Sequence, residues 1–180
     1  MIIYTIGHST RTLGELIGLL KENGIELLAD IRSYPASARH PQFNRENLAL
    51  RLPDFGIEYC WLGKELGGFR KKVDPNSPHT ALRHEGFRNY ADHTATVEFA
   101  QGIETLRQLA GTRRVALMCA ELLWWRCHRS FLSDYLTACC GMEVVHILKE
   151  KKREPHRLHR AARLVDGKLV YDVEEQPRLL

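Results

Sequence analysis

The sequence predicts an α/β domain. It is a mostly parallel, five-stranded sheet with helices on both faces, followed by a basic C-terminal segment and a β-hairpin. Short apolar, β-branched runs alternate along the chain with segments of helical period. The 180 residues, 44% hydrophobic and 27% charged, make one ordinary globular domain. Within it, residues 1–148 form the α/β core and residues 149–180 the tail and hairpin.

The elements follow in order. Residues 1–6 are apolar and end at Gly7, which reads as a buried strand. Thr12 and Glu15 then carry a capping-box signature. Leu13, Leu16, Ile17 and Leu20 fall on one face of a helix that Gly24 stops. Residues 25–31 read as a second strand, and residues 32–43 as a loop rich in breakers. Asn44 caps a short helix that ends at Pro53. A third strand runs over 57–61. Residues 63–84 have no apolar period and read as a loop or lid, with a short helix after it at 87–94. An amphipathic helix over 98–110 turns Phe99, Ile103, Leu106 and Ala110 inward. A fourth strand spans 115–119. The helix over 129–139 buries Leu132, Tyr135, Leu136 and Cys139 and closes at Gly141. A fifth strand runs over 143–148. Residues 149–163 carry seven Lys or Arg against two Glu. Residues 164–171 read as a hairpin turning at Asp166-Gly167.

Composition excludes several classes. Disorder, collagen, coiled coil and a disulfide-dense scaffold are all out. Lys plus Arg is 26 and Asp plus Glu is 22, a net +4 too mild to imply nucleic acid by itself. No stretch approaches the ~20 apolar residues of a membrane span. The N-terminus has no basic flank or long apolar run, so it is not a secretory signal. Five cysteines without framework spacing read as reduced thiols in a cytoplasmic protein.

In an open α/β sheet the ligand lies beyond the carboxyl ends of the strands. The first strand delivers His8 and Ser9 there, and the second Asp30, Arg32, Ser33 and Tyr34. The fourth delivers Cys119, Glu121, Cys127, His128 and Arg129. Cys127 and His128 precede a helix start, whose N–H groups and dipole favour an anion and lower a thiol pKa. Arg129 adds a fork for phosphate or carboxylate. His8, Cys119, Cys127 and His128 would make a Cys2His2 metal set, but no C-x2-C pair exists and adjacent Cys-His rarely reach one ion, so no metal is assigned. Cys119 to Arg126 is one residue too long for a phosphatase-type loop. Trp124 and Trp125 either form a stacking wall for a base or pack their loop.

These residues together resemble a family. Ile3-Tyr4-Thr5-Ile6-Gly7-His8-Ser9-Thr10 is similar to its opening motif. Asp30-Ile31-Arg32-Ser33-Tyr34-Pro35 and Pro41-Gln42-Phe43-Asn44 are similar to its second block. Leu66-Gly67-Gly68, Phe87-Arg88-Asn89-Tyr90, Cys119-Ala120-Glu121 and Cys127-His128-Arg129-Ser130 complete it. The family is domain-of-unknown-function family number 488, and the resemblance spans residues 2–160. Ala29 departs from it, standing where Val or Ile is expected. The resemblance implies a compact bacterial- or archaeal-type α/β domain whose hallmark is these strand-end residues.

The favoured expectation is an enzyme acting on an anionic, nucleotide-like or nucleic-acid-linked substrate. Arg32 and Arg129 clamp the anion, Glu121 or His8 moves a proton, and Cys119 or Cys127 is the nucleophile. Ser9, Asp30, Ser33, Tyr34, Asn44 and His128 complete the binding set. Two other readings stay open: a nucleic-acid-binding module using the basic tail and the Trp pair, and a metal- or redox-sensing thiol protein. The partner is an anionic small molecule or nucleic acid, with no membrane. The sequence names no cofactor and fixes no oligomeric state.

Overall fold

A computed structural model describes residues 1–72 and 74–173. The last part of the expected tail, 174–180, lies outside the described residues. In chain order come β1 (Ile2–Gly7), α1 (Leu13–Glu22), β2 (Leu27–Asp30), α2 (Arg45–Arg51), β3 (Glu58–Trp61), α3 (Gly63–Leu66), α4 (Glu85–His93), α5 (Val97–Thr112), β4 (Val115–Cys119), α6 (Arg129–Ala138), β5 (Glu143–Lys149), β6 (Lys152–Pro155), β7 (Ala162–Val165) and β8 (Lys168–Tyr171). Short 3-10 turns fill some of the joints.

The main sheet has the order β3-β2-β4-β1-β5-β6. The first five are mutually parallel, and β6 lies antiparallel on β5. The expected count of five is therefore one short. Lys152–Pro155 escaped because Lys-Arg-Glu-Pro has no apolar alternation and ends in a proline. It becomes a strand through backbone pairing alone, after a tight reversal in which Lys151 takes φ 54°. Proline is tolerated because this is an edge.

Leu16, Ile17, Leu19 and Leu20 of α1 and Leu48 of α2 pack on Tyr4, Ile6, Leu28, Ala116 and Met118 on one face of the sheet. Leu66, Tyr90, Phe99, Leu106, Phe131 and Leu132, from α3 to α6, cover the other with Ile3, Leu27, Val115 and Leu117. The alternation of side chains along each strand sets this division.

Local sequence rules hold where expected. The Glu15 carboxylate accepts the Thr12 N–H at 2.6 Å, and the Thr12 hydroxyl accepts the Glu15 N–H at 3.2 Å. Asp166 and Gly167 take φ 49° and 75°, the left-handed pair that a two-residue hairpin turn demands. Asn44 precedes α2, but its side chain makes no cap. It accepts the Ser37 N–H at 2.6 Å instead, pinning the preceding loop. Leu169 and Tyr171 of β8 are buried in the core, so the hairpin is docked. Among the described residues, no helix is long and apolar enough to cross a membrane.

The connections set the site. β1 leads into α1 on one face, whereas β4 leads into α6 on the other. Yet β1 and β4 are neighbours, with Gly7 opposite Cys119. Oppositely directed exits from adjacent strands open a crevice at their carboxyl ends.

Candidate functional site

Beyond β1 and β4 the ladder continues. The His8 N–H donates to the Cys119 carbonyl and the Ser9 N–H to the Ala120 carbonyl, each at 2.9 Å. Ser9 sits at φ 48°, which turns the chain sharply toward α1. A Cβ on Gly7 would lie 1.9 Å from the Glu121 carbonyl oxygen, so only glycine lets this loop cross β1. The predicted residues then divide into two groups, one on each face of the sheet.

The first group centres on Arg32, on the face covered by α1 and α2. Its Nε and Nη2 donate to the two Asp30 oxygens at 2.8 and 2.5 Å, and Nη2 also reaches the Phe43 carbonyl at 2.7 Å. Nη1 lies 3.2 Å from His8 Nε2. Because Arg32 only donates, that nitrogen carries the lone pair and His8 Nδ1–H donates to the Ser9 carbonyl at 3.0 Å. The His8 ring stacks on Phe43 at 4.3 Å. Tyr59 completes the set, its hydroxyl donating to Asp30 at 2.8 Å. Burial raises the Tyr59 phenol well above its ordinary range, reinforced by the Asp30 charge, so it stays a donor. Arg32 is 7% exposed and its donors point inward. The network fixes the loop after β2 and offers no open fork to an anion.

The second group lies on the other face, at the N-terminus of α6. His128 Nδ1 is 3.5 Å from Cys127 Sγ and 3.8 Å from Cys119 Sγ. His128 Nε2 lies 3.1 Å from the Ile31 carbonyl, which can only accept, so this nitrogen bears hydrogen and Nδ1 faces the sulfurs. The Arg129 backbone N–H donates to Cys127 Sγ at 3.5 Å. Gly68 closes over the ring, where a Cβ would lie 2.5 Å from Nδ1. Burial pushes the Cys127 thiol up, but the Cys119 thiol, His128 and Arg129 outweigh it and hold Cys127 well below the ordinary cysteine value. The neighbouring Cys127 sulfur and burial raise the Cys119 thiol. Of the two thiols, Cys127 is thus the more readily ionised.

The remaining residues fall around these two groups. Arg129 is 1% exposed, and its Nη2 donates to the carbonyls of Glu121 and Leu122. It braces the loop it was expected to guard, and it stands across the sheet from Arg32. The Glu121 side chain is exposed. The Ser33 hydroxyl accepts the Phe69 N–H at 2.9 Å and so ties the second loop to the Gly67–Gly68 cover. Tyr34 is exposed and edge-on to Phe69. His8 is engaged by Arg32 and Ser9, so it does not join the sulfurs as a fourth metal ligand. Although adjacent in sequence, Cys127 and His128 do converge with Cys119. Trp124 stacks flat on His146 at 4.1 Å, so only Trp125 remains exposed for a base.

A third polar constellation was not expected from sequence. Thr5 Oγ1 lies 2.6 Å from His146 Nδ1, His146 Nε2 3.0 Å from His156 Nδ1, and His156 Nε2 2.8 Å from Asp134. The Tyr171 hydroxyl and the His159 N–H both donate to Asp134 at 2.9 Å. With both rings neutral every ring nitrogen in the chain is satisfied. Thr5 donates to His146, His146 to His156, and His156 to Asp134. Asp134 and His156 escaped notice because neither follows a core strand.

Two buried histidines, His8 beside Arg32 and His146 in this chain, give an acid response. Burial lowers His8 to about 4 and His146 to about 2, from an ordinary 6.5. Between 6.5 and those values the unfolded chain binds more protons than the folded one, so stability rises with pH. The melting temperature is expected to fall steadily as pH drops from 6.5 toward 4, and His8→Gln to flatten the slope. Calorimetry across this range checks it, and a flat profile counts against neutral, buried histidines.

Comparison with curated proteins and with solved structures returned no match. A family model does match, over residues 12–136, more than half of the 180 residues. It takes in the loop after β2, the Gly67–Gly68 cover and the Cys119–Arg129 segment. Its description is "Domain of unknown function DUF488", and the chain belongs to that family.

Proposed function

We propose that the protein is an enzyme whose reacting group is the Cys127 sulfur, with His128 as its proton partner and Cys119 as its hydrogen-bond donor. One observation carries the reading. Two sulfurs and a ring nitrogen from two different segments meet at the switch point of an α/β sheet, against the first N–H groups of α6. A thiolate there is favoured by the helix terminus and by the facing ring. The chemistry it supports is nucleophilic attack, with His128 holding or releasing the proton. For an anionic substrate the cation is Arg126 rather than Arg32 or Arg129. Arg126 is exposed beside Cys127 and has no ion-pair partner among the described residues.

The test is site-resolved alkylation of the reduced, chelator-treated full chain at neutral pH. Cys127 is expected to react about tenfold faster than Cys60, Cys139 or Cys140, because an ordinary thiol is only a few per cent thiolate at that pH. Burial raises all three of these thiols. An inert Cys127 overturns the nucleophile.

A further inference from the structure

We infer that Cys119 Sγ, Cys127 Sγ and His128 Nδ1 bind one zinc ion through three protein ligands, leaving the fourth tetrahedral corner for water or substrate. This concerns the same cluster as the preceding reading but goes beyond it, because while the ion is bound Cys127 serves as a ligand and not as a free nucleophile.

The first argument is metric. The three ligand atoms lie within 4.8 Å of one another and all three residues are buried. A tetrahedral zinc with Zn–S about 2.3 Å and Zn–N about 2.0–2.1 Å sets sulfur and nitrogen about 3.6 Å apart. The two sulfur–nitrogen separations here are 3.5 and 3.8 Å. Both sulfur–nitrogen spacings are those the ion requires.

The second argument is orientation. A metal-binding histidine donates its other ring N–H to a carbonyl or carboxylate, which fixes the tautomer and aims the lone pair. His128 Nε2 meets the Ile31 carbonyl at 3.1 Å, and Nδ1 is thereby turned to both sulfurs. This bond spans 97 residues and ties the ligand to the end of β2. The Arg129 N–H on Cys127 Sγ supplies an outer contact to one thiolate.

The third argument is chemical class. Two thiolates and an imidazole form a soft, neutralising donor set, which suits zinc over magnesium or calcium. Zinc takes both sulfurs as thiolates, so any thiol proton on Cys119 or Cys127 leaves to solvent, and the two thiolates then balance the charge of the ion. No oxidant or reductant is needed.

The probe is cobalt(II) added to the reduced, metal-free full chain. The expected result is a thiolate-to-cobalt charge-transfer band with tetrahedral visible bands, saturating at one ion per chain and erased by zinc. Cys127→Ser and His128→Gln are expected to lose these bands, while Cys60→Ser keeps them. Should those variants fail to fold, the wild-type titration still decides. Gly68→Ala is a further check, because it keeps all three ligands while pressing a methyl against Nδ1, and it is expected to weaken binding. Absence of the bands in the reduced wild-type chain overturns the site, as does equal loss in Cys60→Ser. A Cys119–Cys127 disulfide that gives no metal binding after reduction also overturns it. The two readings separate cleanly. Fast alkylation of Cys127 without cobalt binding sinks the zinc and leaves the thiolate reading standing. Cobalt binding with slow alkylation of the metal-free chain sinks the nucleophile and leaves the zinc.

Discussion

Asp30→Ala is expected to lower the unfolding free energy by about 3–5 kcal/mol, the cost of stranding one partner of a buried ion pair. The pair is fully interior, with side chains 0% and 7% exposed. Removing the carboxylate leaves the Arg32 guanidinium with the Phe43 carbonyl and the His8 lone pair as its acceptors, and it strips the Tyr59 hydroxyl of its acceptor. Urea denaturation measures the loss. The double variant Asp30→Ala with Arg32→Met is expected to recover much of it, because an apolar pair of similar volume often replaces a buried ion pair at little cost. A single-variant loss below about 1 kcal/mol, the range of exposed pairs, would mean that water reaches this network.

Asp134→Ala is expected to cost a similar amount, about 3–5 kcal/mol, through a different mechanism. Asp134 accepts from His156, His159 and Tyr171, and all three belong to the segment after β5. The Tyr171 hydroxyl is left buried without an acceptor, at about 1–3 kcal/mol before relaxation, and the part-buried His156 and His159 donors lose theirs as well. The hairpin β7–β8 is expected to loosen first, seen as faster amide exchange there than in β1 or β4. Asp134→Asn keeps one acceptor oxygen and is expected to lose roughly half as much. Uniform exchange across hairpin and sheet would show that the carboxylate is no special anchor.

Much of this molecule was legible in the chain. Buried parallel strands leave continuous apolar runs, so Val115–Cys119 is bounded in the sequence as it is in the fold. Thr12 and Glu15 announce a helix start because the chemistry is local. β6 was not legible, since an edge strand needs only a neighbour's backbone. The site was half legible. Alternation brings Asp30 and Cys119 to the same rim, but one residue of register decides which face each takes, and that parity put Arg32 and Arg129 on opposite sides. Nor does spacing show that the Ile31 carbonyl aims His128, because that contact is made only when β2 and β4 pair.

The outer strand that composition concealed has a consequence for the molecule in company. A parallel sheet ends in a row of unpaired amides and carbonyls, which can recruit further chains edge to edge. Here β6 occupies that position with Lys152 and Arg153, neither of them buried, and finishes in Pro155, which has no amide hydrogen to offer. A second copy approaching along this border meets like charge and a gap in the ladder. The residues that look least like a strand are the ones that close this border of the sheet to further strands.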